Sequence, residues 1–197
     1  MKQVILNNLE VLLKALEEEY NTSPVRVEVI RNHEPIVYDN EKYELVKGTE
    51  VDLPRWIAYE LASRNIVVVR EEPELTIEDL SRYLFLEVHS LKTPSALQRV
   101  PRDFYPKLRL LLRKLKEKLD KEFNVQVLEE YHRVERYSME IIRSRLSKIL
   151  AAVQSPEELK DVIDRMTPEE RVLYMFLRET INYWVERVLG RKCDAKW

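Results

Sequence analysis

Glycine is almost missing from this chain. Only Gly48 and Gly190 occur in 197 residues, where an average usage of about 7% would place roughly 14. The two stand 142 positions apart, so no loop that needs closely spaced glycines can be written. Neither G-x-x-x-x-G-K nor G-x-G-x-x-G is present, which removes the phosphate-cradling loops of nucleotide enzymes. G-x-S-x-G is excluded on the same ground, and with it the nucleophile-elbow hydrolases.

The charge balance narrows the class further. Lys and Arg number 33 and Asp and Glu 35, a formal net charge of −2, which fits neither a polybasic nucleic-acid coat nor an acidic tail. With 35% charged and 45% hydrophobic residues, the composition is that of a globular protein with a strongly ionic surface. The single cysteine, Cys193, can form no internal disulfide, which points to a reducing compartment and away from a thiolate metal cage. Beside Lys192 it could have a lowered pKa, yet it sits in a short polar tail and reads as a plain free thiol. The opening residues lack the apolar run of a signal peptide, and no stretch approaches a membrane span. The chain is expected to be soluble and intracellular.

Charge also divides the chain. Residues 1–72 carry 9 basic and 14 acidic side chains, and residues 73–197 carry 24 and 21. The seam falls at Glu71-Glu72-Pro73. Before it, Ile5, Leu9, Leu12 and Leu16 form the stripe of an amphipathic helix over 2–20, with packing under the following module as its default role. Val25, Val27 and Val29 then alternate with Arg26 and Glu28, a strand pattern. Further β-rich runs follow at 35–38, 43–46 and 66–69, with a turn at Gly48 and a short helix from Pro54. After the seam the pattern is helical throughout. Thr76 heads one helix, and leucines at 108, 112, 115 and 119 stripe a second. A third carries Ile141, Ile149 and Val153. Ser155-Pro156-Glu157-Glu158 and Thr167-Pro168-Glu169-Glu170 read as capping boxes for two more, the last ending at Gly190. The expected fold is α+β and mainly α: residues 1–72 a helix plus a small β-rich module, residues 73–197 a bundle of five helices.

Little in the sequence carries chemistry. His33, His89 and His132 are each about fifty residues apart and form no metal-gripping pair on one element. Asp161 and Asp164 share a helix face, as solvated carboxylates on charged helices commonly do. The stretch 99–118 is more informative, with eight cations against Asp103 and Glu117. Arg109, Arg113 and Lys116 follow helical steps along one side, and this ridge is a solvated face, an acidic-partner surface or a DNA-phosphate contact. The last helix is apolar on most sides, with Phe176 and Trp184 prominent, as expected of a bundle centre or of a subunit interface.

Three stretches bring in a family. Val51-Asp52-Leu53-Pro54-Arg55-Trp56-Ile57-Ala58 and Glu60-Leu61, leading to the run 66–69, resemble the small β module of GINS replication-complex subunits. Pro101-Arg102-Asp103-Phe104-Tyr105 is similar to the approach to that family's helical domain, and Arg145-Leu146-Ser147-Lys148-Ile149-Leu150 to its R-x-x-K helix motif. The resemblance spans about residues 24–185, and the β module comes first, as in one of the two GINS subunit classes. Low glycine and glutamine counts with dense mixed charge fit a thermophile, and together with the divergence from the eukaryotic versions of that family they suggest an archaeal subunit.

The resemblance implies a non-catalytic scaffold without cofactor or metal, located in the cytoplasm at the nucleoid (in the nucleus if eukaryotic). Its implied partners are a second, helix-first GINS subunit in a heterotetramer, the MCM helicase and a RecJ-like protein, with no membrane association. Asp52, Leu53, Pro54 and Trp56 then mark the β module, with Trp56 anchoring the short helix to the sheet and Asp52 favouring that helix's N-terminus. Phe104, Tyr105, Arg145, Lys148, Ile149, Phe176 and Trp184 mark the helical domain and its subunit interface. Phe104 and Tyr105 are expected to pin the connector, and Arg145 to form a buried or interfacial ion pair. Two other classes stand beside this one: a DNA-binding regulator using the basic helix 99–118, and an enzyme built from dispersed carboxylates and His132.

Overall fold

The computed structural model describes residues 2–70, 74–156 and 159–190. The seam at 71–73, the glutamates at 157 and 158, and Cys193 with Lys192 lie outside the described residues. The elements run α1 (Lys2–Thr22), β1 (Pro24–Val29), β2 (His33–Tyr38), β3 (Glu41–Leu45), β4 (Glu50–Pro54), α2 (Arg55–Ser63), β5 (Val67–Val69), α3 (Ile77–Val88), a 3-10 turn (Pro94–Ala96), α4 (Phe104–Lys121), α5 (Val125–Val153), α6 (Lys160–Ile163) and α7 (Pro168–Leu189). The fold is α+β and mainly α, with the sheet region N-terminal to the helical region. Lys14–Pro73 form one compact unit, and Met1–Leu13 with Glu74–Trp197 form the other. The division falls inside α1, between Leu13 and Lys14.

In the β unit the alternation of valines sets the sheet. β1 lies between β4 and β5, antiparallel to both, and Val25, Val27 and Val29 all turn to one buried face. Leu45, Leu53, Val67 and the Ile57, Ala58 and Leu61 face of α2 close that core. β2 and β3 pair separately as a hairpin. Asp39 and Asn40 both take positive φ at its tip, the geometry a two-residue turn needs to match strand twist. Gly48 turns the chain at φ +85°.

Two sequence expectations are corrected here. No strand was expected at 50–54, yet Val51 and Leu53 alternate with Glu50 and Asp52 and pair with Val27 and Val25. Pro54 closes that strand, and α2 begins at Arg55 rather than at the proline. β4 is an edge strand, where a missing N–H costs no ladder bond.

The helical unit is organised around α5, a 29-residue helix that packs against α3, α4, α7 and the 3-10 turn. Asn124 caps it by accepting from the Gln126 and Val127 amides. Thr76 and Asp79 form a reciprocal capping box for α3, and Thr167 and Glu170 form another for α7, with Pro168 in its first turn. Gly190, at φ +65°, ends α7 in the left-handed region. The next described helix, α6, starts at Lys160, and Leu159 precedes it without a side-chain cap; the expected capping box at Ser155-Pro156-Glu157-Glu158 includes residues outside those described. Two apolar clusters fill the unit. One joins Leu75, Leu80, Phe104, Leu108, Val134 and Ile141, among others, and the second joins Leu97, Ile149, Val153, Val162, Met166 and Tyr174. No helix among the described residues is long and apolar enough to cross a membrane.

Candidate functional site

Between the two apolar clusters runs a layer of buried charge. On α5 the sequence passes from Ile141 in one cluster to Ile149 in the other, and Arg145 and Lys148 fall between them, both 0% exposed. Their carboxylate partners come from α3 and α7. Arg145 Nη1 donates to Glu87 Oε1 at 2.5 Å, while Nε and Nη2 grip Glu170 Oε1 and Oε2 at 2.6 and 2.7 Å. Lys148 Nζ donates to Glu87 Oε2, to Ser90 Oγ at 2.6 Å and to the Glu87 and Ala96 carbonyls. Two cations meet two carboxylates, so the layer is neutral, the condition for tolerating ions out of water.

The remaining polar atoms are also occupied. Arg145 Nη1 reaches the Gln98 carbonyl, and Nη2 the Arg165 carbonyl. The Gln98 amide donates to Glu87 Oε1 at 2.9 Å. Glu170 accepts from the Thr167 amide as the return bond of its capping box, and from the Tyr105 hydroxyl at 2.7 Å. Burial alone would lower the pKa of Arg145, but the hydrogen bonds and charge of Glu170, with Glu87 beside it, raise it further still. Burial first, and then Glu170, push the Tyr105 phenol well above its ordinary range. One layer thus fixes α3, the connector, α4, α5 and α7 in mutual register.

Arg145, Lys148, Ile149 and Phe104 are accordingly enclosed within the unit: buried, not interfacial. Phe104 meets Tyr83 and Tyr105 edge to face at 5.6 and 5.3 Å. The sequence pointed to an ion pair at Arg145 but not to Glu87 or Glu170. The one available signal for Glu170 was its capping-box position, which aims its carboxylate back over the helix start.

The surface of this unit is apolar along two helices. Met139, Leu146 and Leu150 are exposed on α5, with half-buried Ile142 between them, and these four positions form one stripe at helical spacing. On α7, Leu177 and Ile181 pack on the second cluster. The same stripe continues through Trp184 and Val188, which are 64% and 61% exposed. Tyr183 is exposed as well, and Phe176 is half-buried. Between α4 and α5 opens a groove of about 640 Å³, lined by Leu108, Leu112, Met139 and Ile142 with Arg109 beside them.

The basic ridge stays in solvent. Arg109, Arg113 and Lys116 are all exposed on α4, with Glu117 3.8 Å from Arg113. Lys107 and Lys114 are instead paired with Asp103 and Glu74. His132 stands 3.4 Å from Glu135. Among the described residues no group of three His, Cys, Asp or Glu side chains is placed to hold a metal ion.

In the β unit the motif residues divide. Leu53 and Pro54 are buried, but Trp56 is 46% exposed and lies edge-on to Tyr38 at 5.4 Å. This corrects its expected place as the anchor in the core: Ile57, Ala58 and Leu61 set the inward face of α2, and a residue one step before Ile57 points away from it. Asp52 does not serve the helix N-terminus either. It faces Arg26 across the β1–β4 ladder and accepts from Nε and Nη2 at 3.0 and 3.2 Å, and these hydrogen bonds hold its carboxyl below the usual range. Among the described residues of this unit the buried polar side chain is Arg55, which donates to Ser23 Oγ and lies 4.4 Å from the Tyr20 ring centroid.

Neither a protein-family model nor a curated protein matches the chain.

Proposed function

We propose that this chain is a non-catalytic scaffold subunit of GINS type, which assembles through its helical unit with a second, helix-first subunit. The observation that carries the reading is the α7 stripe, which leaves the core after Ile181 and continues through Trp184 and Val188, both largely exposed among the described residues. A stripe built for burial but left uncovered is what an obligate interface looks like in an isolated subunit. A second exposed stripe on α5, which shares Met139 and Ile142 with the α4–α5 groove, adds apolar surface on the same unit. The buried charge layer supports the same reading, because it makes the unit a stiff block on which such a surface keeps its shape. The order of the three sequence motifs supplies the family. In this reading the assembly sits in the cytoplasm at the nucleoid and joins an MCM helicase ring to a RecJ-like protein.

Light scattering on the chain alone, and co-expressed with a helix-first relative, tests it. A four-chain complex of about four times the subunit mass, forming only when the relative is present, is the expected result. A stable monomer indifferent to the relative would remove the scaffold reading. The exposed cations Arg109, Arg113 and Lys116 would then make DNA binding the leading alternative, with a steep dependence on salt.

A further inference from the structure

The groove between α4 and α5 joins an apolar floor to a charged rim. Leu108 and Leu112 from α4, with Met139 and Ile142 from α5, supply the floor. The two hydroxyls that line it are spent on the protein itself. Tyr105 donates to Glu170 at 2.7 Å, and Ser138 to the Val134 carbonyl at 2.6 Å. The floor therefore offers hydrophobic contact, and exposed Met139 can adapt its shape to whatever lies on it.

That floor runs on past the groove. From Met139 and Ile142 the α5 stripe continues through Leu146 and Leu150, about 16 Å at the helical rise, or three turns. A track of that length suits an elongated segment better than a compact molecule. Two packed helices leave a trough in which a third helix can seat its own ridge of side chains.

The rim selects the charge of that helix. Arg109 stands on the α4 side and His132 and Arg136 on the α5 side, all three exposed. Glu135 lines the groove as well, and it stands 3.4 Å from His132. Arg136 lies 5.5 Å from the Tyr137 ring centroid. Among the described residues neither Arg109 nor Arg136 forms an ion pair. A helix flanked by lysines would meet two guanidinium groups of its own sign, whereas carboxylates would meet two planar forks.

We propose that this groove docks an amphipathic helix of a partner protein, apolar along one stripe and carrying Asp or Glu on the flanks that meet Arg109 and Arg136. The mode is helix-in-groove recognition, in which apolar anchors supply affinity and rim charges supply orientation and selectivity. It assigns one member of the basic ridge, Arg109, to a protein and not to DNA. The site does not use the α7 stripe, and the proposal holds whether or not a helix-first subunit is the partner.

Fluorescence anisotropy on the full chain provides the test, with two labelled helical peptides of about 16 residues. They share one leucine stripe and differ in its flanks, glutamate in one and lysine in the other. The glutamate peptide should bind saturably at about 100 µM or tighter, and about tenfold tighter than the lysine peptide. Met139→Ser, at an exposed position, should keep the melting temperature and weaken that binding about fivefold. Arg109→Glu combined with Arg136→Glu should also keep the melting temperature and should reverse the preference, so that the lysine peptide binds tighter. A random-sequence DNA duplex should leave the glutamate peptide in place. The proposal is overturned by no saturable binding of the glutamate peptide up to about 1 mM, by equal affinity for the two peptides, or by a preference that survives the double charge reversal. Unchanged affinity in Met139→Ser, or displacement of the peptide by the duplex, overturns it as well. None of these measurements contains a second subunit, so their failure leaves the scattering test of assembly standing.

Discussion

The β unit and the helical unit place their charges in opposite ways. In the β unit the core is aliphatic, from Val25, Val27 and Val29 to Ile57 and Leu61, and the Arg26–Asp52, Arg64–Glu60 and Arg70–Glu28 pairs lie on the outside. In the helical unit the pairs at Glu87, Arg145, Lys148 and Glu170 are inside, between two apolar clusters. The contrast follows from how each architecture sets its register. Ladder hydrogen bonds and side-chain alternation already fix a sheet to the residue, since a one-residue slip turns every valine outward. Helices packed by greasy ridges can slide by a turn with less loss, and a layer of directional ionic bonds removes that freedom. A single polar position fixing register is known from coiled coils.

The strongest way to break the comparison is to unpair the inside charges. Glu87→Ala leaves Arg145 with half its carboxylate partners and Lys148 with none, and should destabilise the helical unit by about 3–5 kcal/mol in chemical denaturation. Replacing Glu87, Arg145, Lys148 and Glu170 together by Leu or Met should cost less than Glu87→Ala alone, because no orphan charge remains. If the layer exists to hold register, that fourfold variant should keep its far-ultraviolet helix signal but lose dispersion in its side-chain NMR spectrum. A fully dispersed spectrum would mean that the layer is not what specifies the packing.

The β unit answers to a different change. Leu53→Ala removes a fully buried side chain that faces Val25 across the ladder and should cost about 2–4 kcal/mol, a transfer loss plus a cavity. That loss should be insensitive to salt. Loss of equal size from Asp52→Asn, at the outer face of the same strand, would show that the outside pairs hold this unit after all.

What the sequence could reveal divides along the same line. Period-two valines, the Thr167–Glu170 capping box and Gly190 are local signals, and the structure keeps each where its local physics puts it. Trp56 and β4 depart from the expected pattern because a proline followed by an aromatic resembles a helix start and its anchor, which hides the equally local Glu50–Pro54 alternation. Glu87 and Glu170 were out of reach for another reason. They lie 58 and 25 positions from Arg145; the capping box sets Glu170 at a helix start without naming its partner, and in a chain with 35 acidic residues nothing marks Glu87 as the other carboxylate the fold carries inward. Arg145 itself drew notice as a cation beside apolar neighbours. The apolar stripe on α7 was legible as pattern, but its departure from the core after Ile181 depends on where the second cluster ends.

A last comparison uses one chemistry in both units. Tyr105 donates to Glu170 inside the helical unit, and Tyr43 donates to Glu41 on the surface of the β unit, both at 2.7 Å. Both phenols are held above their ordinary pKa, Tyr105 by burial first and then by Glu170, Tyr43 chiefly by its bond to Glu41. A phenol that keeps its proton longer in the folded than in the unfolded chain adds stability that is complete below the unfolded value of about 10 and drains away as pH rises beyond it. For Tyr105 the drain can reach about 1.4 kcal/mol per pH unit, since the folded group stays protonated across that range. Tyr105→Phe should therefore cost about 1–2 kcal/mol at pH 7, where a hydrogen bond to a carboxylate is lost, and should lose stability less steeply than the parent chain between about pH 10 and 11. Tyr43→Phe should leave the alkaline slope close to that of the parent, because water screens and replaces the exposed bond. Urea titrations of the three proteins at closely spaced alkaline pH values decide it. Equal slopes for the parent and Tyr105→Phe would mean that the buried pair opens before the phenol ionises, and the layer would then be looser than its geometry implies.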